Sequence, residues 1–86
     1  MNYSVVVEVT LRAGIADPEG ATIERALPAL GFSGVSDVKA GKLFRLNIDA
    51  DSEAHALETA TSLAERLLSN PVIEDARARL GEVTHS

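Results

Sequence analysis

The chain has no cysteine and no tryptophan, and only one tyrosine, two phenylalanines and three prolines among 86 residues. Without cysteine there is no disulfide and no thiolate metal site, which suits a reducing compartment. Aromatics make up 3% of the residues, so the core must be built from Val, Leu, Ile and Ala. No apolar run approaches the ~20 residues that cross a bilayer. The N-terminal residues lack a basic segment followed by an apolar one, so no secretion signal is expected. Asn2-Tyr3-Ser4 then reads as an accidental glycosylation sequon. Positive charge is scarce too: eight Lys and Arg stand against thirteen Asp and Glu, for a net charge of −5. Such a surface repels phosphates. The expectation is a cytoplasmic protein with no nucleic-acid and no membrane partner.

What is present fits one small α+β domain over residues 1–86, with residues 82–86 as a loose tail. A chain this short buries only about 60% of the surface its unfolded form exposes, so association with other copies is a common remedy. Tyr3, Val5, Val7, Val9 and Leu11 alternate with Ser4, Glu8, Thr10 and Arg12, the period of a strand with one buried face. Val6 falls on the other side. Its valine content predicts a central strand. Ala13 to Ala16 read as a loop.

Asp17-Pro18-Glu19 opens a helix: Asp17 as N-cap, Pro18 at the first helical position, Glu19 near the positive dipole end. Ile23, Ala26, Leu27 and Leu30 give it one apolar stripe. Gly31 supplies a left-handed C′ residue and Phe32 follows, the order of a Schellman cap over Leu27. Pro28 should kink or tighten the last turn without breaking the helix.

Val35 to Ala40 read weakly as a second strand, and Gly41-Lys42 as a two-residue hairpin turn. Phe44, Leu46 and Ile48 mark a third strand. A second helix starts at Asp51 or Ser52, carries Leu57, Ala60, Ala64, Leu67 and Leu68 as its stripe with Leu63 at the flank, and ends at Ser69-Asn70. Pro71 stops it, and Val72 and Ile73 favour extended backbone. Asp75 to Leu80 form a last, less apolar strand that suits an edge. The order β-α-β-β-α-β, with right-handed crossovers, gives a ferredoxin-like two-layer sandwich: an antiparallel sheet with two helices on one face. Its other face is left without helices, with Val6 and Leu43 pointing there.

Nothing in the chain resembles a catalytic set. His55 and His85 each lack a second ligand nearby, and a solvated surface histidine is the simpler reading. Glu8 is an isolated strand carboxylate. Gly31-Phe32-Ser33-Gly34 has the spacing of an RNA-backbone clamp, but it joins a helix to a strand in an acidic chain, where a helix cap explains it better. The serines lie in no nucleophile motif, and there is no phosphate loop. Arg77 and Arg79 share one side of the last strand; pairing with Asp75 or Glu74 is expected, with an interface role as the alternative.

Four passages together resemble the PurS family, the small subunit of phosphoribosylformylglycinamidine synthase. They are Asp17-Pro18-Glu19-Gly20, Gly31-Phe32, Val38-Lys39-Ala40-Gly41-Lys42 and Asn70-Pro71-Val72-Ile73-Glu74, in the family's order and at its separations. Pro28 and the alanine-rich last strand depart from the pattern. The resemblance implies a non-catalytic subunit of a purine-biosynthetic complex that converts formylglycinamide ribonucleotide to formylglycinamidine ribonucleotide. It implies self-association as a dimer or higher, a glutaminase subunit and a large synthetase subunit as partners, and help in passing ammonia between them. It implies no cofactor on this chain, with ATP and Mg²⁺ used by the synthetase. Asp17, Pro18, Gly20, Gly41, Lys42, Asn70, Pro71 and Glu74 are the candidate partner-contact or turn-forming residues. The competing reading is a regulatory module that binds a small molecule on an ACT-like version of the same architecture; a small enzyme stands third.

Overall fold

A computed structural model describes residues 1–81 of the chain; the tail expected at 82–86, with His85, lies outside the described residues. The elements run β1 (Asn2–Leu11), α1 (Pro18–Ala26), β2 (Gly41–Asp49), α2 (Glu53–Leu63) and β3 (Glu74–Leu80). β1 is central, paired antiparallel to β2 on one side and β3 on the other. Its alternating valines explain that position. Val5, Val7 and Val9 are fully buried under α2, while Val6 lies on the opposite face and is still only 6% exposed.

α2 can sit close to the sheet because its contact residues are small. Ala56, Ala60 and Ala64 are buried against the three valines, and Phe44, Leu46, Ile48, Leu57 and Leu68 close the margins. Ser52 caps the helix, its Oγ accepting from the His55 N–H at 3.1 Å. After Leu63 the helix widens into a π-helical turn over Ala64–Leu68, closed where the Ser69 N–H and hydroxyl both donate to the Ala64 carbonyl. The wide turn corrects the expected stripe. Ala64 and Leu68 both face the core, and Leu67, expected there, is 74% exposed. Four-residue steps from Ala56 to Leu68 overshoot an ordinary helical turn, and the extra residue per turn restores the alignment.

α1 ends as its proline requires. The ladder stops at Ala26, Leu27 keeps helical angles, and Pro28–Leu30 form a 3₁₀ turn. The Glu24 carbonyl, which Pro28 cannot serve, accepts from the Leu27 N–H instead. Gly31 has φ +87°; its N–H donates to Pro28 O and that of Phe32 to Leu27 O, the two bonds of a Schellman cap.

The α+β class therefore stands, with an antiparallel sheet and two helices, but the described sheet has three strands. Val35–Ala40 is not a strand. Gly34 and Asp37 both have positive φ, +78° and +58°, which interrupts extended backbone. The N–H groups of Val38 and Ala40, which a ladder would need, donate to side chains of the α1 region. Gly41-Lys42 is accordingly no hairpin turn. Both residues open β2, Gly41 opposite Thr10 and Lys42 opposite Val9. The expected edge, β3, pairs within its own chain.

α2 covers the sheet, whereas α1 leaves its stripe open. Gly20 is the buried residue of α1, and Ile23 and Leu30 are 45% and 69% exposed. The described chain is correspondingly flat, 50 × 36 × 15 Å, with a radius of gyration of 16.3 Å. A compact domain of this length has about 12 Å.

Candidate functional site

Three of the four passages singled out in the sequence converge at one end of the sheet; Gly31-Phe32 stays at the far end of α1 as its cap. Asp17 is the joint. One carboxylate oxygen caps α1, accepting from the Gly20 N–H at 2.9 Å; the other accepts from the Ala40 N–H, also at 2.9 Å. These two hydrogen bonds, the Gly20 one first, hold its carboxyl below the ordinary value; desolvation opposes them and Lys39 adds to them. Two turns along the same side of α1, Glu24 accepts from the Val38 N–H at 2.9 Å. The N-cap carboxylate of α1 and a second one within the helix thus clasp residues 38–40.

The glycines belong to the same clasp. A Cβ on Gly20 would lie 2.3 Å from the Val38 carbonyl oxygen, and one on Gly41 2.7 Å from the Val9 carbonyl oxygen. Neither position has room for a side chain. The D-P-x-G and V-K-A-G-K passages are therefore two halves of one contact.

Asn70-Pro71-Val72-Ile73-Glu74 builds a separate turn that closes on itself. The Asn70 side chain accepts from the Val72 N–H at 3.1 Å, and Glu74 returns its carboxylate to the Asn70 N–H at 2.7 Å. The Glu74 N–H donates to Asn70 O at 2.8 Å. Pro71 sits at the turn position its fixed φ favours. The Arg12 N–H donates to Ile73 O, and its guanidinium pairs with Asp75 at 3.5 Å, which ties this turn to the loop after β1.

Between clasp and turn lies a shallow cleft of ≈ 220 Å³, bordered by Asp17, Pro18, Gly41, Lys42 and Glu74. Five of the eight candidates share this cleft. Gly20 lies beneath it against Val38, and Asn70 and Pro71 stand beside it through Glu74. Glu24 and Arg12 were not singled out in the sequence. Glu24 could have been, since seven residues from Asp17 returns it to the same helical side; the role of Arg12 depends on β3 lying beside β1.

The cleft holds no paired nucleophile and base. Two of its three carboxylates, Asp17 and Glu74, accept backbone N–H groups and brace the fold, and the third, Glu19, lies in the first turn of α1. Among the described residues no group of three His, Asp or Glu could hold a metal ion. His55 lines an open hollow on the outer side of α2 with Glu58 and Arg66. Arg79 pairs with Glu8 on the neighbouring strand at 2.7 Å, not with Asp75 or Glu74 as expected, because β1 lies beside β3 and Asp75 is engaged by Arg12.

The comparisons fit a chain whose marked residues shape it. A family model described as PurS, phosphoribosylformylglycinamidine (FGAM) synthase, matches residues 4–82. The chain belongs to the PurS family. A PurS subunit of the same synthase from Mycobacterium leprae is 50% identical over 70 residues, covering 81% of this chain and 85% of its own. A crystal structure of Methanocaldococcus jannaschii PurS, a subunit of formylglycinamide ribonucleotide amidotransferase in the purine biosynthetic pathway, superposes with TM-score 0.82 at 33% identity, covering 98% of this chain and 100% of that one. A chain in a structure of PurLQS from Thermotoga maritima superposes with TM-score 0.85 at 31% identity, covering 93% of this chain and 98% of that one. The clasp, the closed turn and the Schellman cap at Gly31 are what the four PurS-like passages build here.

Proposed function

We propose that this chain is the PurS subunit of a phosphoribosylformylglycinamidine synthase and works in the cytoplasm in purine biosynthesis. The observation that carries the reading is its family membership over nearly its whole length, joined to its likeness to a chain of a PurLQS assembly. In this reading it performs no reaction. It bridges a glutaminase subunit and a large synthetase subunit, which uses ATP and Mg²⁺, and holds their sites in register so that ammonia passes between them. The physical need is that free ammonia escapes or protonates in bulk water, so transfer requires a path kept from solvent. The ligand-binding regulatory alternative has no comparable support.

Self-association is part of the proposal. The α1 stripe is open, and Phe44, Leu46 and Ile48 on β2 are only partly covered. A second copy would cover these apolar surfaces.

Reconstitution tests the reading. Adding this chain to the glutaminase and synthetase should raise glutamine-dependent synthesis strongly and ammonia-dependent synthesis little. Equal dependence of both reactions on the chain would reject the bridging role, and no effect on either would reject the assignment to this complex.

A further inference from the structure

The sheet face turned away from α2 has a charge character unlike the rest of the chain. On it, Val6 is flanked by Arg45 and Arg79, and Glu8 by Leu43 and Arg77. Three of the eight basic residues of a chain of net charge −5 gather on one face, and the register puts Asp49 and Asp75 there as well, paired with the N-terminal amine and with Arg12. The Glu8 carboxylate is taken by Arg79 at 2.7 Å. Among the described residues, neither Arg45 nor Arg77 has a carboxylate within ion-pair reach. They stand on opposite edge strands, roughly 12 Å apart at the backbone by strand spacing and rise. Val6, on the face away from α2, is only 6% exposed and stands between Arg45 and Arg79, whose long stems can lie along apolar surface. Leu43 beside it is 50% exposed. The face thus carries an apolar spot at Val6 and Leu43 and, on its two edge strands, the open guanidinium donors of Arg45 and Arg77.

We infer that this open sheet face docks a flat, carboxylate-bearing surface of a non-identical partner subunit, with Arg45 and Arg77 supplying the charge-assisted contacts. The inference rests on the complex-subunit reading above and names the surface that meets a partner. Arginine forks match carboxylates in two-point geometry and are enriched at protein interfaces. Other occupants fit less well. A small phosphate ligand favours a concave site, and the hollow on this face, beside Arg77, is lined by Glu8 and Asp75 as well. A second copy meeting this face across a two-fold axis would bring two arginine-bearing rims together while the Glu8 carboxylates are already taken by Arg79.

The test uses the full chain with the glutaminase and the synthetase, each titrated separately by sedimentation or calorimetry. R45E/R77E should weaken binding to one of them by roughly tenfold or more, and wild-type binding should fall more steeply with added salt than that of the variant. R45K/R77K should retain part of the affinity. The isolated variant should keep the melting temperature and oligomer mass of the wild type, since both side chains are exposed. Unchanged affinity of R45E/R77E for both partners overturns the inference. So does loss of self-association in the isolated variant, which makes a second copy the occupant, or displacement of the partner by millimolar inorganic phosphate at constant ionic strength. If the wild-type chain binds neither subunit, the complex-subunit reading itself falls. If it binds and the variant binds equally well, only the assignment of this face falls.

Discussion

Asp17 joins two segments through one side chain, and its protonation state matters for that reason. Its carboxyl is held below the ordinary 3.8, first by the Gly20 hydrogen bond and then by that of Ala40. A depressed folded-state value means that the carboxylate adds stability above the ordinary value and loses it as pH falls through the lowered one. Thermal melts of wild type and D17N should therefore differ most near neutral pH and converge in acid, below pH 3.8. A gap that stays constant through the acid range would remove the clasp from the account. Gly20 gives a sharper test, because two effects oppose each other there. Alanine in a helix is favoured over glycine by about 1 kcal/mol, but its Cβ would lie 2.3 Å from Val38 O. Overpacking of this kind costs about 1–3 kcal/mol. G20A should lower stability in denaturant titrations, and a rise would show that the segment at Val38 yields freely.

Among the elements, α2 shows how local geometry overrides a hydrophobic pattern. Leu67 and Leu68 are adjacent leucines that a sequence pattern cannot rank. The π-helical turn after Leu63 brings Leu68 to the core and leaves Leu67 out. On the dissociated chain, L67Q should change stability by no more than about 0.5 kcal/mol, whereas A60L should cost about 1–3 kcal/mol by forcing the helix off Val5 and Val7. Both are read by urea unfolding, and a large loss in L67Q would mean an ordinary helical turn. The segment at Val35–Ala40 behaves in the same way. Its residues tolerate a strand, but Glu24 and Asp17 occupy the N–H groups that pairing would use. The Schellman cap at Gly31 and the tightened turn at Pro28 are legible in the sequence, because both follow from neighbours in the chain.

The described chain is flat, and α1 with the 3₁₀ turn that follows it leaves Ile23 and Leu30 open to solvent. A single small domain has little apolar burial to spare. The melting temperature of the isolated chain should therefore rise with protein concentration, as it does for any fold stabilised by its own copies. I23D/L30D should reduce oligomer mass in sedimentation equilibrium without removing the helical circular dichroism of the remaining fold. A melting temperature independent of concentration, with monomer mass throughout, would leave the α1 stripe without this purpose.

Residues close in the chain set their own local structure. The alternation of β1, the proline and aspartate start of α1, the glycine at its end and the proline after α2 act through neighbouring backbone, so the sequence alone determined those elements and the α+β class. The family passages were readable as a set, but their purpose was not. Only the tertiary structure decided that Asp17 and Glu24 hold Val38–Ala40, that Gly41 must be small against Val9, and that Arg79 takes Glu8 and leaves Arg45 and Arg77 open. Each of these depends on residues distant in the chain, brought together by the packing of α1 on residues 38–40 and by how β1 lies between β2 and β3, and no local propensity encodes either.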